Sequence, residues 1–168
     1  MLLMELQRIA KSMGERLLFR TEILQIHTGD KIGLIGRNGS GKSTLIDILA
    51  GSLSADEGYV KRSCSFSRIG QLDSGHAQEF SLGVESKETM SGGEIARRRI
   101  VSAFGEASPL LLADEPSANL DIDGAEWLQA ELYGFHGALI LVTHDRQLLD
   151  AVCNAIWEID DGTVKAFP

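Results

Sequence analysis

Apolar residues along the chain follow two patterns, namely short continuous or alternating runs and helical spacing. The short runs predict strands at 2–9, 17–26, 31–35, 59–61, 66–70, 109–114, 138–142, 155–159 and 163–167. Helical spacing predicts helices over 43–50, 92–104, 122–133 and 145–152. Because strands and helices alternate, the order indicates an α/β fold with a central, mainly parallel sheet. The N-terminal strands indicate an added antiparallel piece.

Length and composition narrow this picture. A chain of 168 residues predicts about one domain, over 1–168, and segment 72–90 is its least organised stretch. There are 18 glycines but only 3 prolines, which predicts tight turns or close approach of the backbone to a ligand rather than a linker. The net charge of −8 argues against free nucleic acid as a partner, although a local patch could still dock on a nucleoprotein.

The apolar runs and the cysteines bear on the cellular setting. No apolar run approaches the roughly 20 residues of a membrane span, so we expect no transmembrane segment. Residues 1–11 are too short and too mixed for a signal peptide. Cys64 and Cys153 make no disulfide framework, so we expect both to be small buried residues in a reducing cytoplasm.

A glycine-rich segment carries the first functional motif. Residues 36–43 read Gly-Arg-Asn-Gly-Ser-Gly-Lys-Ser and match the pattern G-x-x-x-x-G-K-[ST] between a predicted strand and a predicted helix. Glycines let backbone N–H groups surround phosphate oxygens, a lysine reaches the outer phosphates and a hydroxyl reaches Mg²⁺. A chance glycine-rich turn would not be expected in this context. The predicted nucleotide-binding residues are Gly36, Asn38, Gly39, Ser40, Gly41, Lys42, Ser43 and Thr44.

Two carboxylates end the apolar run at 110–113. In a parallel sheet this strand end faces the ligand crevice, which places Asp114 to hold Mg²⁺ through water. Glu115 is then placed to orient or deprotonate an attacking water. A solvated turn after a core strand would explain Asp114 and Glu115 equally well if they stood alone, but the phosphate-binding motif favours the functional interpretation.

Further motifs carry a family resemblance. Met90-Ser91-Gly92-Gly93-Glu94 resembles the signature motif of ATP-binding-cassette (ABC) ATPases. Gln71 resembles the Q-loop glutamine, segment 117–121 resembles the D-loop and includes Asp121, and His144 resembles the switch histidine. These motifs occur in the family's order and cover the whole chain. Taken alone, the signature would be an ordinary helix N-cap and His144 a surface histidine.

The resemblance implies a P-loop NTPase with an ABC core that binds and hydrolyses ATP with Mg²⁺. It implies that Gln71 coordinates water as a catalytic residue or, with Ser43 and Asp114, the metal, and that His144 positions water with Glu115. Ser91, Gly92, Gly93 and Asp121 would complete the nucleotide site of a facing cassette, which is either a second cassette on a longer chain or another copy in a homodimer. An isolated chain is then expected to be a monomer or weak homodimer with low turnover.

The short segment 72–90 indicates the branch of the family. Transporter ATPases have a several-fold longer helical subdomain here, whereas the short form resembles the first cassette of antibiotic-resistance ABC-F proteins, soluble ATPases that act on ribosomes. Segment 142–150 also resembles theirs. Two alternatives stay open at this point, namely the ATPase subunit of a membrane transporter and a non-catalytic nucleotide-binding module. Glu115 and His144 argue against the second alternative.

Three other features are less informative. The aromatic residue that stacks on adenine in this family is absent, and Lys11 takes its place, so we expect weak selection of the base. Residues 97–99 are three consecutive arginines that fan around a helix, which favours a solvated or salt-bridged role over contact with ribosomal RNA. Trp127 and Trp157 are expected to be core residues.

Overall fold

The computed structural model describes residues 1–70, 92–105, 108–118 and 120–168. These residues form one ten-stranded sheet and four helices. The strands are β1 (Leu2–Met13), β2 (Arg16–Thr21), β3 (Ile23–His27), β4 (Lys31–Gly36), β5 (Glu57–Arg62), β6 (Ser67–Ile69), β7 (Leu110–Asp114), β8 (Ala138–Val142), β9 (Ala155–Asp160) and β10 (Thr163–Phe167). The helices are α1 (Lys42–Ala50), α2 (Gly92–Gly105), α3 (Ile122–Gly134) and α4 (Arg146–Val152).

The centre of the sheet is parallel, as the sequence predicts. Strands β9, β4, β8, β7 and β6 lie side by side in that order, and each neighbouring pair is parallel. Every residue of β7 and β8 is buried, because helices cover both faces. Leu110 and Leu112 pack in the same cluster as α1, whereas Leu111 and Ala113 pack in the cluster that includes α2, α3 and α4.

The antiparallel piece is built around β1. Strands β2 and β3 both pair with β1, and β5 pairs with it as well. The single strand predicted over 17–26 is therefore wrong, since it is interrupted at Glu22. The Thr21 hydroxyl donates to the Glu22 carbonyl at 2.8 Å and accepts from the Ile9 amide at 3.1 Å, so side-chain bonds replace regular strand pairing at this point.

Strand β1 is longer than the predicted 2–9, because its last residues pair with β2. Its register against β5 shifts between Gln7 and Ala10, and Arg8 has a left-handed φ of 48° within this irregularity. Opposite it, Gly58 has a φ of 75°, and a side chain there would collide with the carbonyl oxygens of Gln7 and Arg8. This bulge therefore requires a glycine in β5.

The ends of α1 and α4 show how local sequence fixes the helices. Helix α1 ends at Gly51 in the left-handed conformation, as predicted, and the Arg62 guanidinium donates to the carbonyls of Ile48 and Leu49 at 2.6 and 2.8 Å. Helix α4 begins after Asp145, whose carboxylate accepts from the backbone amides of residues 147 and 148. The end of α1 and the start of α4 are thereby held at defined positions.

Cysteines and tryptophans agree with expectation only in part. Trp157 is buried in the core, but Trp127 is half-buried. Cys64 and Cys153 are free and half-buried rather than fully buried, and burial raises the pKa of the Cys153 thiol to about 11. No helix within the described residues is long and apolar enough to cross a membrane.

Candidate nucleotide site

Three neighbouring parallel strands bring the predicted residues to one edge of the sheet. The loop after β4 carries the phosphate-binding motif, β7 ends at Asp114 with Glu115 next, and β8 leads to His144. Strand β8 lies between β4 and β7. The carboxyl ends of parallel strands share an edge, so residues that are far apart in the sequence meet there.

Glycines shape the phosphate-binding loop. Gly36, Gly39 and Gly41 have φ values of 152°, 75° and 104°, which side chains rarely adopt. A Cβ at Gly36 would lie 2.7 Å from the Ile159 carbonyl oxygen, and one at Gly41 would lie 2.7 Å from the Phe19 ring. The first of these close approaches places the loop against β9, and the second places it against β2.

Lys42 occupies the inside of this loop. Its ammonium donates to the carbonyls of Gly36 at 2.9 Å and Arg37 at 3.3 Å, and only 9% of the residue is exposed. A cation is thus held where the backbone turns around a concave space. Asn38 and Ser43 are exposed at the mouth of the loop, and Thr44 is half-buried behind them.

Three buried side-chain oxygens at this edge meet hydrogen-bond geometry with none of the described residues, namely Ser40 Oγ, Asp114 Oδ1 and Glu115 Oε1. Glu115 Oε1 nevertheless lies 3.4 Å from His144 Nε2, within ion-pair distance. Buried polar atoms are normally paired, so a group of unpaired ones indicates a site that a ligand completes. A hydroxyl can donate to a phosphate oxygen, and carboxylate oxygens are hard ligands suited to Mg²⁺ or to its bound water. The residues present therefore fit a magnesium–nucleotide complex.

Asp114 is 3% exposed at the end of β7. Burial raises the pKa of its carboxyl, and the Ser43 hydroxyl lowers it by hydrogen bonding to the carboxylate. The positive charges of Arg68 and Lys42 also lower this pKa, whereas the charge of Asp47 raises it. Ser43 and Asp114, the two side chains predicted to hold the metal, therefore lie near each other.

Glu115 sits in a strained backbone conformation. Its φ is 50°, in the left-handed region that costs a non-glycine residue about 1 kcal/mol or more. Its amide donates to the Val142 carbonyl at 2.8 Å, which fixes the backbone against β8. Burial raises the pKa of the Glu115 carboxyl, and nearby His144 lowers it.

His144 lies next to Glu115, as the predicted pairing requires. Its Nε2 is 3.4 Å from Glu115 Oε1, while 64% of its side chain is exposed. The turn that carries it is held by neighbouring residues, because the Asp145 amide donates to Thr143 Oγ1 at 3.1 Å. The histidine therefore has a fixed backbone and a solvent-facing ring beside the buried carboxylate.

The remaining predicted residues are placed less completely. Gln71 and Ser91 lie outside the described residues. Gly92 and Gly93 form the first residues of α2. Asp121 is the N-cap of α3, and its carboxylate accepts from the Gly124 amide at 2.8 Å, so the structure gives it a capping contact at the start of that helix.

Sequence reasoning missed Arg68 and Asp47. Arg68 Nη2 lies 2.6 Å from Asp47 Oδ1, which ties the strand before Gln71 to the helix after the phosphate loop. Asp47 is four residues after Ser43 in a helix, so the two side chains share a face. That spacing was the available signal for Asp47, whereas nothing in the local sequence singles out Arg68.

Lys11 has a defined partner on the antiparallel piece. Its ammonium lies 2.6 Å from Asp56 Oδ1, and the other oxygen of Asp56 accepts from the Ser12 amide at 2.7 Å. These two contacts lower the pKa of the Asp56 carboxyl. Lys11 is therefore engaged in an ion pair at the position that the sequence assigned to base stacking.

Comparison with known proteins identifies the class. A family model described as ABC transporter matches residues 21–77. Erythromycin resistance ATP-binding protein MsrA of Staphylococcus epidermidis is 35% identical over 150 residues, which cover 82% of this chain and 31% of that protein. Ribosome protection protein VmlR of Bacillus subtilis is 29% identical over 175 residues, which cover 96% of this chain and 32% of that protein.

The fold agrees with this result. A nucleotide-free ATP-binding cassette from an ABC transporter superposes with a TM-score of 0.77 at 18% identity, over 99% of this chain and 91% of that one. The chain belongs to the ABC-type ATP-binding domains and resembles the cassettes of ABC-F proteins. It spans about a third of the length of the curated relatives named above.

Proposed function

We propose that this chain is an ATP-hydrolysing cassette of a cytoplasmic ABC-F protein that acts on ribosomes. The observation that carries the enzymatic part is the pairing of Glu115 with His144 at 3.4 Å, beside buried Asp114. The ribosomal part is supported by the ribosome protection named for the relative VmlR, by the antibiotic resistance named for the relative MsrA, and by the short segment 72–90.

Hydrolysis would proceed by in-line attack of water on the γ-phosphate of ATP. Glu115 orients that water and accepts its proton, and His144 holds the water against the phosphate. The Lys42 ammonium and the backbone amides of 36–41 stabilise the negative charge of the transferred phosphoryl group. Catalysis here is mainly positioning and charge neutralisation.

Ser43 and Asp114 would hold Mg²⁺, with Gln71 as a third ligand. When bound, the metal supplies positive charge that offsets the charge of the phosphates. The protein's part is to keep a hydroxyl and a carboxylate next to each other below the phosphate loop. The effect of the nearby Ser43 hydroxyl on the pKa of Asp114 supports this arrangement.

We further propose that the active state is a pair of cassettes. The amides at the start of α2, around Gly92 and Gly93, would bind the γ-phosphate held by the facing cassette. The facing cassette is either a second one on a longer chain or another copy of this one. Turnover should then rise with protein concentration when this chain is assayed alone.

Glu115→Gln tests the enzymatic proposal. The amide keeps the shape of the side chain but cannot accept a proton, so single-turnover hydrolysis should fall about 100-fold or more while ATP still binds. Glu126→Gln, which changes an exposed glutamate on α3 in the same way, is the matched control. Unchanged single-turnover hydrolysis in Glu115→Gln would contradict the role of Glu115.

Sedimentation with ribosomes tests the partner. With ATP, Glu115→Gln should accumulate on purified ribosomes more than the unaltered chain does, because the closed pair persists. The second candidate function is a transporter ATPase, which is favoured by the fold shared with transporter cassettes. Binding to a transporter's membrane subunit, with no ATP-dependent binding to ribosomes, would favour that candidate instead.

A further inference from the structure

Helices α2 and α3 cover the same face of the sheet and run in the same direction. Helix α2 ends shortly before β7, and α3 ends shortly before β8. Their carboxyl ends therefore lie at the amino edge of the sheet, opposite the nucleotide site. Their first residues, Gly92 and Ile122, lie toward the carboxyl edge, so the predicted signature and D-loop each lead into one of two neighbouring helices.

Two aromatic contacts join these helices. The Arg97 guanidinium carbon lies 4.8 Å from the centre of the Trp127 ring, in cation–π geometry. At the far end, the Phe104 and Phe135 rings meet edge to face, with centroids 5.7 Å apart. Arg97 and Phe104 are seven residues apart, which is about 10 Å along a helix, so the first contact lies near the middle of the pair and the second at its carboxyl end.

The first contact lies close to both functional loops. Arg97 is five residues after Gly92, and Trp127 is six residues after Asp121, so each is within about two helical turns of its loop. Trp127 is half-buried and packs against the core cluster that includes Leu128. Its ring is thus fixed by the core on one side and contacts the arginine on the other.

The cation–π contact leaves hydrogen-bond donors of Arg97 available. The guanidinium carbon lies over the Trp127 ring, and the N–H groups of a guanidinium spread in its own plane, so those that do not face the ring can still donate. A lysine could supply charge at this position but not a flat surface. The contact can therefore set where α2 lies without using the donors of Arg97.

We propose that the Arg97–Trp127 contact is a positioning device that fixes the start of α2 relative to the loop before α3. This inference rests on the proposed pairing of cassettes, since both loops would meet the facing cassette and their separation must match it. Arg97 and Trp127 act through those loops. The proposal gives Arg97 a role that neither a solvated arginine nor contact with ribosomal RNA provides.

A double-mutant cycle tests the proposal. Arg97→Met, Trp127→Leu and the double variant are made in the full chain, with and without Glu115→Gln. Each single change should weaken ATP-dependent pairing of the Glu115→Gln form about two- to fivefold, and the double variant should lose little more. Nucleotide affinity of the unpaired chain should not change, because the phosphate loop is on another element.

Phe104→Leu is the matched control. It removes the aromatic contact at the far end of the same two helices, so it should lower the melting temperature but leave pairing unchanged at a temperature where the chain is folded. Trp127→Phe keeps a ring and should retain most of the pairing. Equal loss of pairing in Phe104→Leu, or additive losses in the cycle, would overturn the proposal.

Hydrogen exchange separates this proposal from the proposed function. In the unpaired chain, Trp127→Leu should speed exchange in a peptide covering 92–100 severalfold more than Phe104→Leu does. Absence of ATP-dependent pairing in Glu115→Gln itself would instead count against the proposed pairing of cassettes. Equal exchange in both variants would overturn the positioning role, whatever the pairing result.

Discussion

The two edges of the parallel sheet differ in how their polar groups are satisfied. At the carboxyl edge, buried oxygens of Ser40, Asp114 and Glu115 have no hydrogen-bond partner within the described residues. At the amino edge, Asn154 accepts from the Lys31 amide at 2.9 Å and donates to the Gly29 carbonyl at 3.2 Å. The first edge is built to be completed by a ligand, and the second is complete already.

The two edges also differ in backbone strain and in how charged side chains are used. Glu115 adopts a left-handed φ of 50° at the carboxyl edge. At the other edge the Lys31 ammonium donates to the carbonyls of Leu132 and Tyr133 at 3.1 and 2.6 Å, which satisfies the end of α3. The carboxyl edge of the sheet therefore carries the chemistry, and the amino edge contributes to stability. Substitutions at the carboxyl edge should change ATP binding and hydrolysis, whereas substitutions at the amino edge should change the free energy of unfolding.

The largest effect should come from Lys42→Ala. Removing the cation from the phosphate loop should weaken ATP affinity at least about 30-fold, because phosphate charge then lacks its main partner. Titration with a fluorescent ATP analogue measures this. Lys31→Ala removes a lysine from the amino edge instead, and equal loss of affinity in the two variants would contradict the difference between the edges.

Asn154→Ala should affect stability rather than binding. Loss of two hydrogen bonds at the amino edge should lower the free energy of unfolding by about 1 to 2 kcal/mol. Urea unfolding measures this loss, and ATP affinity of the folded variant serves as the control. A variant with unaltered stability would show that the satisfied edge contributes less than its contacts indicate.

The next smaller effect is that of Glu115→Gln on thermal stability, and it should depend on pH. Burial raises the pKa of Glu115, so its ionised form costs stability above that pKa and costs none below the unfolded value near 4.5. At pH 7 the amide should therefore raise the melting temperature by roughly 1 to 3 °C. Thermal unfolding at pH 7 and at acid pH checks the sign, and a lower melting temperature at pH 7 would contradict it.

The smallest expected effect is the difference in affinity between nucleotides that differ only in their base. Lys11 is paired with Asp56, and β1 ends in Met13, so no aromatic ring from this strand end is available for stacking. ATP and GTP should bind with affinities within about threefold of each other, because binding then depends mainly on charge-assisted contacts to the phosphates, which the two nucleotides share. Competition titrations measure the ratio, and strong preference for ATP would require another contact.

The sequence predicted the centre of the sheet well because β7 and β8 are apolar apart from Asp114 at the end of β7. Strands β7 and β8 have no polar alternation, and only a sheet covered on both faces buries such runs. The interruption at Glu22 was not predictable in this way. It depends on Thr21 bonding to the distant Ile9 amide, which is a tertiary contact.

The part of the candidate site that lies on a single loop could be predicted, because its residues are contiguous in the sequence. Residues 36–43 indicate their chemistry through spacing, whereas Arg68 acquires its place only when β6 lies beside β7. The strain at Glu115 is also invisible in the sequence. It arises because the residue leaves β7 while its amide stays bonded to Val142 on β8.

The backbone at Glu115 bears on how variation at this position should be interpreted. A left-handed residue is easiest for glycine, asparagine and aspartate, and hardest for β-branched residues. A library at position 115 selected only for folding should therefore enrich glycine and asparagine. Enrichment of glutamate under selection for activity would then measure chemistry alone, with the conformational preference already subtracted.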